Sequence, residues 1–136
     1  AMPTEEARSL LAPDVRRQDA VYNLGRVAML VRAFSTGDTG YLAVATQDRL
    51  HQPARQAIFH AMKTITRAAL DAGAHGAFLS GSGSSILAIT SGREMTVGYE
   101  MAEAASKSGV GGEFRVTTPT DEGAFILGRS QASQGA

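Results

Sequence analysis

The sequence predicts an α+β fold: an antiparallel sheet of about four strands with helices packed on one face. Three observations predict it. Apolar residues recur at three- and four-residue intervals through the first half of the chain, which is the period of a helix. Short apolar or alternating runs follow in the second half, each bounded by glycine. Two of these runs flank a six-residue polar loop, which is the pattern of a hairpin.

The elements follow in order. Residues 4–11 form a short helical stretch stopped before Pro13, with Thr4 as a good N-cap and Glu5 and Glu6 suited to the helix dipole. Residues 19–35 carry Val21, Leu24, Val27, Ala28, Val31 and Phe34 at helical spacing, with Asp19 as cap and Gly37-Asp38 as stop. Gly25 inside this helix costs about 1 kcal/mol against Ala, which a close packing contact would justify. A shorter helix covers residues 41–50. After His51-Gln52, Pro53 opens a helix over residues 53–72 on the stripe Ala54, Ile58, Met62, Ile65, Ala69, and Gly73 ends it in a left-handed conformation. Residues 74–79 and 86–89 are strands. A helix starts at Ser91 or Gly92, places Met95, Tyr99, Ala102 and Ala105 on one face and stops at Gly109. Residues 113–118 alternate, Phe114 and Val116 against Arg115 and Thr117, as a half-buried strand does. Residues 124–127 make a last strand, and residues 129–136 read as a disordered polar tail. The later elements fit a ferredoxin-like split βαβ unit that lacks its first strand.

A length of 136 residues suits one domain. Thirteen Lys and Arg balance thirteen Asp and Glu, so there is no basic excess for nucleic acid. Cysteine is absent, which excludes disulfides, thiolate metal sites and a cysteine nucleophile. No apolar run approaches the roughly 18 residues of a membrane span. The acidic start, Glu5-Glu6, is unlike a signal peptide, so the expected location is the cytoplasm. Alanine supplies 23 residues and aromatics only 6%, which makes the expected core lean.

Two stretches stand out chemically. Ser80-Gly81-Ser82-Gly83-Ser84-Ser85 has no large side chain; its glycines let backbone N–H groups converge on an anion. It is not a Walker A loop, because no Lys-Ser/Thr follows. It is not a nucleophile elbow, because Ser80 and not Gly stands two before Ser82. An ordinary hairpin turn would use the same residues. The second stretch, Asp48-Arg49-Leu50-His51-Gln52-Pro53-Ala54-Arg55, lies at a break between helices. Arg8, Arg49 and Arg55 all lie near such breaks, and the planar guanidinium matches a carboxylate, although a solvated arginine is the commoner outcome. His51, His60 and His75 have no metal-ligand spacing, and no carboxylate pair suggests acid–base chemistry. No catalytic residue and no metal site is assigned.

Together these stretches resemble the C-terminal domain of the homoserine kinases, within the galactokinase/homoserine kinase/mevalonate kinase/phosphomevalonate kinase (GHMP) superfamily. Pro3-Thr4-Glu5-Glu6-Ala7-Arg8, followed by Leu10-Leu11 and Pro13, looks like the family's P-T-x-x-A-R-x-x-L-P segment. Asp48 to Arg55 looks like its D-x-x-H-[EQ]-P-Y-R segment. Gly76-Ala77-Phe78-Leu79-Ser80-Gly81-Ser82-Gly83-Ser84-Ser85 looks like the superfamily motif G-A-x-x-S-G-S-G-P-[ST], and Asn23-Leu24-Gly25-Arg26 matches an N-x-G-[KR] turn.

The resemblance implies an ATP-dependent kinase that phosphorylates the hydroxyl of L-homoserine on the route to threonine. It implies that Arg8 and Arg55 hold the substrate carboxylate, that Thr4 lies near the reacting end and that Gly81 lines the pocket. Ser80, Gly81, Ser82, Gly83 and Ser84 would brace the phosphate-binding loop of another domain. Ser84 replaces the family's proline, Ala54 its tyrosine, and Phe59-His60 stands where the family tends to have a proline-containing turn. The family's ATP-cradling motif and magnesium carboxylate belong to an N-terminal domain and are not found in this sequence. Residues 1–128 thus read as a GHMP C-terminal domain, with residues 1–18 a substrate-side segment leading into it. ATP and Mg²⁺ would be held mainly by the missing N-terminal kinase domain, and the chain alone would be inactive. The family also suggests a homodimer. Apolar surface intended for the missing half is expected beside Gly81 and Arg55. Two rival readings are a GHMP kinase acting on a sugar or mevalonate, and a non-enzymatic ferredoxin-like module that binds an amino acid. A carboxylate-free sugar would not need Arg8 and Arg55, and a self-sufficient module would bind its amino acid without a second domain.

Overall fold

The structure, a computed structural model, describes residues 4–124. Helix α1 spans Thr4–Ser9 and α2 spans Arg17–Thr36. A 3-10 turn over Thr39–Tyr41 leads into α3, Leu42–Ala45, then α4, Gln52–Gln56, and α5, Met62–Asp71. Strands β1, Gly76–Leu79, and β2, Ile86–Ile89, precede α6, Glu94–Lys107. The fold is mostly helical with a small two-stranded antiparallel sheet, in which Gly76 faces Ile89 and Leu79 faces Ile86.

Two of the expected four strands are therefore present among the described residues. Residues 113–118 form no ladder. The Phe114 ring instead lies on α6, so close to Gly98 that a Cβ there would come within 2.3 Å of it. Arg115 pairs locally with Glu113 at 3.2 Å and gains nothing from a neighbouring strand. An alternating sequence is only half of a strand; the other half is a backbone to pair with. The expected strand 124–127, beyond Ala124, and the tail 129–136 lie outside the described residues.

The expected helix 53–72 is two helices. Ile58 and Phe59 N–H groups both donate to Arg55 O, at 3.1 and 2.9 Å, and Met62 N–H donates to Phe59 O at 3.1 Å. The turn they form drives Phe59 and Ala61 into the core, which repays the interrupted ladder. It falls where the family resemblance places a proline-containing turn. On α5, Met62, Ile65 and Ala69 are buried as the stripe requires.

The core lies between α5, the hairpin and α6. Phe59, Ala61, Met62, Ile65, Leu79, Ala104 and Ala105 form one cluster, and Ala69, Ala74, Ala77 and Val97 a second. On α6 the buried face is Val97, Gly98, Ala104 and Ala105, whereas Met95 and Tyr99, expected inside, are exposed. Gly98 decides this rotation, because only a residue without a side chain admits the Phe114 ring. β1 also leans closely on α3: a Cβ on Gly76 would stand 3.0 Å from both Leu42 O and Thr46 Cγ2.

Helix α2 has the expected period and ends at Gly37, whose φ of 71° is the left-handed cap. Its faces are reversed from the usual pattern. Val21, Leu24, Val27, Val31 and Phe34 point outward, with Leu24 68% exposed. Asp19 and Ala33 are buried, and Asn23 and Arg26 turn toward the rest of the chain. Asp19 does not cap the helix; Arg16 occupies that position and its Nε donates to Asp19 at 2.7 Å. Gly25 has nothing within 4 Å of a Cβ position, so no contact in the described chain requires it. The exposed apolar surface thus includes this stripe on α2, while Arg55 is itself buried. No helix among the described residues is long and apolar enough to cross a membrane.

Two substitutions separate the two kinds of apolar surface. Ile65→Ala, in the core, should cost about 2–5 kcal/mol. Leu24→Gln, on the outer face of α2, should stay within about 0.5 kcal/mol. Chemical denaturation of this chain measures both.

Candidate functional site

The site is built around the turn from α3 to α4. The first N–H groups of a helix have no partner inside it. Here the Asp48 carboxylate takes them. Leu50 N–H donates to Asp48 Oδ1 at 2.7 Å, His51 N–H to both oxygens at 3.0 Å, and Gln52 N–H to Oδ2. Asn23 of α2 adds Nδ2 to Asp48 Oδ1 at 2.9 Å, and its Oδ1 accepts from Arg49 N–H at 3.0 Å. Both halves of the Asn23 amide are therefore used on one turn. Burial pushes the Asp48 carboxyl up, but the hydrogen bonds from Asn23 and from the N–H groups of Gln52, Leu50 and His51 outweigh it and hold the group below its ordinary 3.8.

Gln52 continues the connection. Its Nε2 donates to Thr46 O at 3.1 Å, and its Oε1 accepts from Leu79 N–H at 3.1 Å, at the end of β1. One turn later, Arg55 is 3% exposed. Its guanidinium makes one long hydrogen bond, from NH1 to His51 O at 3.4 Å, its Nε has no partner, and no carboxylate pairs with it among the described residues. A buried cation ordinarily has an anion beside it. Burial first, then the Arg55 cation, hold His51 below its ordinary 6.5, with Asp48 opposing.

The Ser/Gly loop closes the hairpin. Ser80 N–H donates to Ser85 O at 2.9 Å and Gly83 N–H to Ser80 O at 3.1 Å. Gly81 has φ of 57°, which a side chain would strain, and nothing lies within 4 Å of a Cβ position. The loop thus presents an open backbone face. No hydrogen bond occupies the hydroxyls of Ser80, Ser82, Ser84 and Ser85 among the described residues.

A cleft of about 280 Å³ lies between α2, the start of α4 and the end of β1, lined by Asn23, Arg26, His51, Gln52 and Phe78. A second, of about 430 Å³, lies on the far side of Asp48 and Gln52 and includes Lys63, Thr66 and Arg67. Arg55, Arg8 and Gly81 line neither. Tyr22 is flanked by two guanidinium groups, Arg26 at 4.0 Å and Arg49 at 3.8 Å from its ring centre.

Of the residues expected from sequence, Arg55 and the loop are joined through Gln52 and Leu79. Arg8, in the last turn of α1, is exposed, and no hydrogen bond or ion pair links it to Arg55. Thr4 opens α1, and its side chain lies outside what is described. Asn23, Arg26, Asp48, His51 and Gln52 were not expected as site residues. Their signal was present, since Asp48, His51 and Gln52 lie in the motif stretch of Arg55 and Asn23 and Arg26 in the N-x-G-[KR] turn. Among the described residues no three His, Asp or Glu side chains converge to hold a metal ion. These residues do not by themselves fit a magnesium–nucleotide site, and no step is derived through one.

The family model for the C-terminal part of GHMP kinases matches residues 30–110. A homoserine kinase from Gloeobacter violaceus is 48% identical over 90 residues, 66% of this chain and 30% of that protein. One from Moorella thermoacetica is 36% identical over 126 residues, 93% of this chain and 43% of that protein. The crystal structure of homoserine kinase from Cytophaga hutchinsonii superposes with a TM-score of 0.76 at 32% identity, covering 82% of this chain and 36% of that one. The chain belongs to the GHMP kinase family, as its C-terminal part, and spans less than half the length of these relatives.

The site makes stability depend on pH. His51 is depressed in the folded state, so below about 6.5 the unfolded chain binds more protons and stability falls as pH drops toward the folded value. Asp48 is also depressed, so its contribution is complete above about 3.8 and is lost as pH falls through its folded value. Urea midpoints should decline in these two stages, and His51→Gln should remove the first.

Proposed function

Given that membership, we propose that this chain is the C-terminal, acceptor-binding half of a homoserine kinase, with residues 1–128 as the domain. Its task in the whole enzyme is to hold L-homoserine while the γ-phosphate of ATP passes to the substrate hydroxyl. ATP and Mg²⁺ are held mainly by the N-terminal part that such relatives contain. The observation that carries this reading is Arg55: a residue 3% exposed, whose Nε has no partner and beside which no carboxylate stands among the described residues. The substrate carboxylate supplies the missing anion, and a planar fork is the group best matched to it. Because the guanidinium is buried, entry requires the side chains above it to part.

Arg8 is the second arginine of the reading. It is exposed on α1 and adds to the clamp only when α1 and a bound substrate meet. The open face of Gly81 and the free hydroxyls around it suit a loop that supports phosphate binding by another domain. Phosphoryl transfer depends mostly on positioning and charge stabilisation, so a half-site that orients the acceptor is a sensible division of labour.

In an enzyme containing this chain, Arg55→Ala should weaken L-homoserine binding about 10- to 100-fold, the range of a lost charge-assisted contact. The corresponding amino alcohol, which lacks the carboxylate, should bind the variant and the parent alike. Equal loss for both ligands, or none for L-homoserine, removes Arg55 from the site. The chain alone should release no ADP in a homoserine-dependent coupled assay, and robust release would sink the half-enzyme reading.

A further inference from the structure

Gln52 connects the two parts of the candidate site that sequence places 25 or more residues apart. It sits at the start of α4, one turn before Arg55, with its own N–H held by Asp48. Its side chain reaches in two directions. Nε2 donates to Thr46 O at 3.1 Å, which fixes the amide plane. Oε1 accepts from Leu79 N–H at 3.1 Å, and Leu79 is the residue immediately before the Ser/Gly loop. The amide can make both bonds in only one orientation, because one end is a donor pair and the other an acceptor. On the far side, Asn23 and Asp48 hold the same turn to α2. The helix that carries Arg55 is therefore fixed to α2 at one end and to the loop-bearing strand by one side chain.

We propose that Gln52 is a positioning residue: its side-chain amide sets the spacing between Arg55 and the Ser80–Ser85 loop, and thereby the fit of the acceptor between them. The structural half of this proposal stands on the geometry; the functional half rests on the reading of Arg55 as a carboxylate clamp. Asp48 and Arg55 cannot do this work themselves. The Asp48 oxygens are occupied by backbone N–H groups and Asn23, and Arg55 reaches only His51 O.

The test uses this chain with three substitutions. Gln52→Leu keeps the volume and removes both bonds, Gln52→Asn is too short to span them, and Gln52→Glu keeps an acceptor for Leu79. Amide hydrogen exchange should speed up about 10-fold at Leu79 in the Leu and Asn variants, extend to Ser80 and Gly83, and remain near the parent rate in the Glu variant. In an enzyme containing this chain, L-homoserine affinity, read by calorimetry, should fall about 10-fold in the first two and recover in the third. Unchanged exchange at Leu79 and Gly83 in the Leu and Asn variants overturns the proposal. So does faster exchange with unchanged homoserine affinity. Failure of the unsubstituted enzyme to bind L-homoserine defeats the substrate reading alone, and the exchange measurement still decides whether Gln52 holds the loop.

Discussion

The Asp48 carboxylate is the constraint from which the site follows. A half-buried charge is tolerated only when its lone pairs are taken up. Here three successive backbone N–H groups and one side-chain amide take them up. Two of these donors, the N–H groups of His51 and Gln52, are orphans at the start of α4, so one group resolves two problems. Helix α4 has only five residues, too few to hold itself. Its direction is set by Asp48 and, through Asn23, by α2. Arg55 sits where it does because α4 starts where Asp48 stops it.

This engagement also explains why Arg55 is left without an anion. The nearby negative charge is turned toward backbone amides and away from the guanidinium. His51 is held down first by burial and then by the Arg55 cation, which disfavours its protonation more than Asp48 favours it. A carboxylate aimed at Arg55 would satisfy the cation and close the site to any ligand. Held as it is, Asp48 organises the turn and makes no ion pair with Arg55, which is what the proposed carboxylate clamp requires.

Much of this was legible in the sequence. The period of α2, the stripe of α5, the hairpin and the glycine stops all appear as expected, because each is fixed by local chemistry. What failed depended on partners. Residues 113–118 alternate like a strand, yet no second backbone pairs with them among the described residues. The α2 stripe reads as core, but local spacing does not say which face meets the chain, and Asp19, Asn23 and Arg26 face inward. The interruption after Gln56 follows from the burial of Phe59, which no helical propensity announces. Motif resemblance located Arg55 and the loop. It could not show that Asp48 and Gln52 join them, since those bonds cross 27 residues between Gln52 and Leu79.

The lean composition has a structural use at this point. A two-stranded hairpin of four-residue strands has little stability of its own, so it must lie against helices. Among the described residues, nine of the fifteen buried apolar ones are alanine, which lets that approach be close. Gly76 carries it furthest, since any side chain there would press on Leu42 O and Thr46. β1 consequently runs along α3, whose carbonyl end also receives Gln52 through Thr46. Leu79 arrives at the end of that strand within 3.1 Å of Gln52 Oε1. A larger residue at position 76 would press on α3 and push the strand outward. The small side chains that leave the core lean are the same ones that let a single glutamine reach from the arginine-bearing helix to the glycine loop.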